Sequence, residues 1–271
     1  MKTVTLPHVG WPVVPVLQTP DGRIVQDTAD IIAEIETTYP EPSVMPVGPV
    51  QLFASLLMQV FADQWLVLPA MHCRWNYNED WIFTEFGRSA APDAPRSEQY
   101  AIGKQRGERF RAMVPLLGID ESTIPGIESS YEQFLSEFSA NLEEYDYVFG
   151  DRPSLADFAL RGPLYAHLYR DPASREVMER VALHVARWAE RTILGENRGG
   201  DLVGGDAIPE TLAPMFKRHS AEHLPVLAAA NVLFDTWCET ASSGDECLTS
   251  APIESPRFHR RPIASFHATI S

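Results

Sequence analysis

Val13-Val14-Pro15-Val16-Leu17-Gln18-Thr19-Pro20-Asp21-Gly22-Arg23-Ile24-Val25-Gln26-Asp27-Thr28 is the stretch that decides the fold of this 271-residue chain. Val13, Val14, Val16 and Leu17 form an apolar run rich in β-branched residues. Thr19-Pro20-Asp21-Gly22 has the composition of a tight turn, and Ile24 and Val25 resume the run, so the stretch predicts a β-hairpin. Asp27 or Thr28 then stands where an N-cap belongs, ahead of Ile31, Ile32 and Ile35 at helical spacing, which predicts a short helix ending near Pro40. Residues 1 to 26 are the strand territory of the chain. A two-stranded sheet with one helix is marginal in water, so something must cover its face.

Outward from this stretch the pattern changes. Prolines at 40, 42, 46 and 49 mark a linker that neither a helix interior nor a central strand tolerates. Beyond it the periodicity predicts helices over about 48 to 75, 96 to 117, 124 to 144, 154 to 169, 174 to 193 and 208 to 240, the last broken at Pro214 or Pro225. Residues 87 to 95, with Gly87, Pro92 and Pro95, read as a loop, as do 195 to 206. The last thirty residues, rich in Pro, Ser and Arg, carry no periodicity. The expected organisation is a small α/β unit over 1–45 and an all-α domain with a C-terminal extension over 46–271.

Composition narrows the function classes. With 45% hydrophobic residues the chain can bury a sizeable core, and its formal net charge of -15 repels phosphate backbones and anionic membrane surfaces, so no nucleic acid and no membrane are expected as partners. Arg257, Arg260 and Arg261 are the exception, a basic cluster read as solvated. Cys73, Cys238 and Cys247 are too few and too scattered for a disulfide framework or a Cys-rich zinc site, which points to a reducing, cytoplasmic setting.

In the order Val14-Pro15-Val16-Leu17, Asp21-Gly22, Gln26-Asp27-Thr28, the sequence resembles the second half of the thioredoxin-like domain of glutathione transferases. The resemblance implies a cis bond before Pro15, with the backbone N–H and C=O of Val14 offered to the cysteinyl part of glutathione. It implies that at Asp27-Thr28 the helix N-terminus and a hydroxyl together make a site for the γ-glutamyl carboxylate. Read without it, Asp27 and Thr28 are a helix cap and nothing more.

Phe149-Gly150-Asp151-Arg152-Pro153-Ser154-Leu155-Ala156-Asp157-Phe158 carries the second match. Ser154 and Asp157 resemble the buried capping box of the family's central helix, in which each side chain satisfies the other's backbone N–H. This motif is structural. Together the two matches imply a mainly α fold, a glutathione-transferase-like helical C-terminal domain with a truncated thioredoxin-like α/β N-terminal domain. The family's catalytic Tyr, Ser or Cys lies just after a first strand. Only thirteen residues precede Val14, too few for that strand–helix–strand unit, so no residue here inherits the catalytic role by motif match.

Three further constellations carry chemistry. His219-Ser220-Ala221-Glu222-His223 fits H-x-x-E-H, in which two histidines one turn apart hold zinc; with Pro225 close behind and no third ligand indicated, the plainer reading is a solvated helix face, and no metal is expected. Met71-His72-Cys73-Arg74-Trp75, with Trp65 nearby, is the densest cluster. By the resemblance Trp65, His72, Arg74 and Trp75 line a substrate pocket; by packing alone they are core. A Cys73–His72 dyad is geometrically poor, since adjacent helical residues point about 100° apart. Tyr145, Tyr147 and Phe149 read as core.

The implied function is binding of glutathione, as co-substrate, and its conjugation to a small apolar electrophile, by a homodimer. The alternative is a non-catalytic binding or interaction module of the same fold.

Overall fold

The computed structural model describes residues 14–195 and 199–240. The expectations for Val13, Cys247, the arginines at 257, 260 and 261 and the C-terminal segment lie outside the described residues. The chain divides into two compact units, one running to Val47 and the other starting at Gly48.

In the first unit β1 (Val16–Gln18) and β2 (Ile24–Gln26) pair antiparallel with Val16 opposite Gln26, Leu17 opposite Val25 and Gln18 opposite Ile24. The turn closes as its residues dictate: the Gly22 N–H donates to the Thr19 carbonyl at 2.9 Å, and Gly22 takes φ 90°, which glycine adopts without strain. Helix α1 (Thr28–Thr38) follows with Asp27 as N-cap. Polar contacts tie these pieces together. The Arg23 guanidinium forks onto both Glu34 oxygens at 3.1 and 2.5 Å, and the Glu36 carboxylate accepts from the Ser43 hydroxyl (2.5 Å) and the Val44 N–H (3.0 Å). No residue of α1 is buried.

The second unit is helical: α2 (Pro49–Gln64), α3 (Val67–His72), α4 (Glu79–Ala90), α5 (Arg96–Arg111), α6 (Ile124–Glu144), α7 (Leu155–Pro163), α8 (Pro172–Val181), α9 (Leu183–Ile193), α10 (Ala213–Glu222) and α11 (Leu224–Thr240). Its core runs from Met58, Phe61 and Trp65 on α2 and its end, through Phe134, Leu135 and Phe138 on α6, to Leu160 on α7 and Trp188 on α9. Pro49–Tyr77 has the length and mean hydropathy of a membrane span, yet half of its apolar window is buried inside this unit, as a core helix would be.

At the centre Ser154 and Asp157 form the capping box. The Asp157 carboxylate also accepts from the Val148 N–H at 3.0 Å and the Trp188 indole at 3.3 Å, so one buried group joins the 147–150 turn, α7 and α9. Burial pushes its pKa up to about 6 against the pull of those donors.

The sequence reading misses α4 and takes Gly87 as a loop marker. Gly87 instead lets two helices touch: a Cβ there would lie 1.6 Å from the Gln99 carbonyl oxygen on α5, and one on Gly103 would lie 1.7 Å from the Phe83 carbonyl oxygen on α4. Two expected helices are also broken. The 48–75 stretch bends after Gln64 and again into a π-helical turn over Cys73–Tyr77, and the 154–169 stretch changes at Pro163 into a second π-helical turn, Leu164–Tyr169. Proline removes an i→i−4 hydrogen bond, which explains the second change. The 174–193 stretch splits at Ala182 (φ −151°), and the final break falls at His223, two residues before Pro225.

Candidate functional site

In the first unit the hairpin register decides which residues meet. The ladder ends at the Val16–Gln26 pair, so the next residues outward are Pro15 and Asp27, then Val14 and Thr28. Val14, Pro15, Asp27 and Thr28 thus collect at one end of the hairpin, where α1 begins. The Val14–Pro15 bond is cis, and Val14 is 65% exposed. Asp27 is bent into φ 84°, ψ 140°, outside the regions that side-chain-bearing residues occupy comfortably. Its carboxylate accepts from the Ala29 N–H at 2.9 Å. The Thr28 hydroxyl is exposed and makes no hydrogen bond among the described residues. Helix-start N–H groups beside an exposed hydroxyl suit a carboxylate.

In the second unit the residues expected to line a pocket are all buried: Trp65 (3% exposed), His72 (1%), Arg74 (8%) and Trp75 (4%). They do not form one wall. Trp65 packs on the His223 ring at 5.0 Å between centroids, and Trp75 on Phe83 at 5.6 Å. Arg74 makes a bidentate pair with Asp171 (2.6 and 2.7 Å) and donates to the Ala166 carbonyl at 3.1 Å, joining the two π-helical turns. Burial raises the Asp171 pKa in spite of that pair.

His72 belongs to a network that local spacing could not reveal. Asn76 donates to its Nδ1 at 2.7 Å, which leaves the proton on Nε2 to be donated to Glu128 at 3.1 Å. The same Glu128 oxygen accepts from the Tyr77 hydroxyl at 2.6 Å. That bond raises the Tyr77 pKa to about 12 and lowers that of Glu128. Glu128 is 56 residues from His72 in the chain, so only folding brings them together. The Cys73 thiol is buried and pushed up to about 12, a protonated and unreactive state at neutral pH.

The two histidines of the H-x-x-E-H segment are buried rather than solvated. His219 and His223 are 4% and 1% exposed, face each other through their Nδ1 atoms at 3.4 Å, and abut Phe61 at 5.2 and 6.2 Å between centroids. Burial lowers their pKa values to about 4 and about 3, so both are neutral. Among the described residues no group of three or more His, Cys, Asp or Glu side chains could hold a metal.

No protein-family model and no curated protein matches the sequence. Among solved structures, a GST-like protein from Pseudomonas syringae superposes with TM-score 0.46 at 19% identity, over 72% of this chain and 53% of that one, so the chain spans about half that protein's length. A glutathione S-transferase from Rhodospirillum rubrum F11 gives TM-score 0.39 at 16% identity over 77% and 80% of the two chains. A glutathione S-transferase from Methylobacterium radiotolerans JCM 2831, solved in complex with glutathione sulfonate, gives 0.39 at 20% over 76% and 82%. The chain itself has a mainly α architecture, the 16–26 hairpin leading into α1, and the buried Ser154–Asp157 box at the head of α7, the elements on which the sequence resemblance rests.

Proposed function

We propose that this chain binds glutathione at the end of the hairpin, with the Val14 backbone pairing with the cysteinyl unit and the α1 N-terminus and Thr28 hydroxyl receiving the γ-glutamyl carboxylate. The observation that carries the reading is the register, which draws Val14, Pro15, Asp27 and Thr28 from two separate segments to one edge. The strained Asp27 backbone supports it, since such conformations concentrate where a ligand is held. In this reading the glutathione sulfur attacks a small apolar electrophile. A thiol of pKa about 8.5 is mostly protonated at neutral pH, so catalysis also needs a donor aimed at the sulfur.

A second reading, a non-catalytic binding module of the same fold, is favoured by the burial of Trp65, His72, Arg74 and Trp75 and by the internal polar contacts of His72 and Arg74. Turnover of 1-chloro-2,4-dinitrobenzene with glutathione separates the two: robust conjugation by the purified chain removes the second.

A cytoplasmic homodimer completes the proposal. Cys73 and Cys238 are both free thiols, which suits a reducing compartment. Val50, Phe53, Leu56 and Val60 form an exposed apolar stripe along α2, between 37% and 63% accessible, which suits a second copy. Sedimentation equilibrium tests this, with Phe53→Glu expected to shift a dimer to monomer; a wild-type monomer at micromolar concentration would refute it.

A further inference from the structure

The helical unit has a groove of about 400 Å³ along α9, lined by none of the side chains discussed so far and within the size range of small-molecule sites. One wall is rigid. The Arg191 guanidinium donates to the Asp146 carbonyl, approaches the Asp146 carboxylate at 3.8 Å, and lies over the Tyr147 ring at 5.2 Å from its centroid. Its side chain is only 13% exposed, so it is held in place.

The charges of the groove can be counted. Asp146 is answered by Arg191. That leaves one cation, Arg187, and one anion, Glu190, three residues apart on α9 and both exposed. Residues at this spacing stand about 5–6 Å apart at Cβ and often pair. Their side chains do not, and neither side chain makes another ion pair or hydrogen bond among the described residues; Arg175 and Tyr169 feel the Glu190 carboxylate only through space. Leu142 and Leu194 supply apolar surface at the margins, and His184 adds a polar side chain. A plain anion would gain from Arg187 and lose to Glu190; a plain cation would meet the reverse.

We infer that the groove binds a small zwitterion with an apolar side chain, an α-amino acid or its equivalent. Its carboxylate meets Arg187, its ammonium meets Glu190, and its side chain rests on Leu142 and Leu194. The charges of an α-amino acid lie about 3 Å apart, which fits between two side chains set one helical turn apart.

Isothermal titration of the full chain with L-leucine, N-acetyl-leucine and leucinamide tests this. The expected result is saturable millimolar binding of leucine, with each derivative, lacking one charge, roughly tenfold weaker. Arg187→Gln and Glu190→Gln, both on the exposed surface, are expected to abolish leucine binding while leaving the circular dichroism spectrum and any glutathione binding unchanged. Equal binding of N-acetyl-leucine, full retention of binding in either variant, or no saturation by leucine at about 10 mM would overturn the inference.

Discussion

The carboxylate of Asp206 occupies the space that a side chain on Gly48 would fill, its Oδ1 lying 2.0 Å from where that Cβ would be. From there it accepts from the Val50 and Gln51 N–H groups, both at 2.9 Å, capping α2 from 156 residues away. Gln51 returns the link by donating to the Val203 and Ala207 carbonyls. Capping side chains contribute about 1 kcal/mol, so Asp206→Ala is expected to cost about 1–2 kcal/mol. Gly48→Ala should cost at least as much in wild type and clearly less in the Asp206→Ala background, because the clash and the cap are one contact. Urea denaturation of the four-member cycle measures this; strict additivity would show the two residues to be independent.

Gly87 and Gly103 let α4 and α5 touch backbone to backbone, whereas a Cβ on Gly162 in α7 meets nothing within 4 Å. Gly87→Ala and Gly103→Ala should each destabilise by roughly 2–3 kcal/mol through overpacking. Gly162→Ala should stabilise by about 0.5–1 kcal/mol through lost unfolded-state freedom. Thermal melts of the three variants give the signs directly.

The buried histidines predict acid sensitivity. His219 and His223 have pKa values of about 4 and about 3 in the folded chain against 6.5 for a free side chain. Between those values the unfolded chain binds more protons, so stability is full above pH 6.5 and falls as the pH drops toward 4. His167, lowered by burial to about 3, adds to their effect, while Asp157, raised from 3.8 to about 6, and Asp171, also raised by burial, act in the opposite direction, two groups against three. The melting temperature should fall by more than about 5 °C from pH 7 to 4.5. The double variant His219→Gln, His223→Gln should show a flatter profile.

Arg74 and Asp171 form a buried pair, so removing one partner strands a charge. Arg74→Ala is expected to cost about 3–5 kcal/mol, whereas Arg74→Met with Asp171→Leu should recover much of that loss. Glutathione affinity, measured where each variant is folded, should not change; a specific loss of binding in a folded Arg74 variant would make it a ligand contact.

Legibility in the sequence followed chain distance. The hairpin turn at Thr19–Gly22, the Asp27 cap and the Ser154–Asp157 box are built from residues at most four apart, and composition alone exposes them. The α4 helix was hidden because Gly87 signals a loop in one dimension and a helix contact in three. His72 with Glu128, Arg74 with Asp171, and Asp206 with α2 unite residues 56 to 156 apart, and no local pattern announces such partners. The zinc-like histidine motif shows the converse. Its spacing was legible, but burial against Phe61 and Trp65, which decides its chemistry, was not.

Asp27 separates ligand binding from stability. Glycine accepts φ 84° without strain and costs only a few tenths of a kcal/mol as an N-cap, so Asp27→Gly should leave stability equal or higher. If the Asp27 conformation and the capped helix start serve the ligand, the same change weakens glutathione binding.

The most direct test of the central claim is calorimetric titration of the purified chain with glutathione, alongside Thr28→Ala and the dipeptide Cys-Gly, which lacks the γ-glutamyl carboxylate. The account predicts saturable binding of glutathione in the millimolar range or tighter, weakened roughly three- to tenfold by Thr28→Ala and by loss of the γ-glutamyl group. No heat of binding up to about 20 mM glutathione, or binding indifferent to both changes, would contradict it.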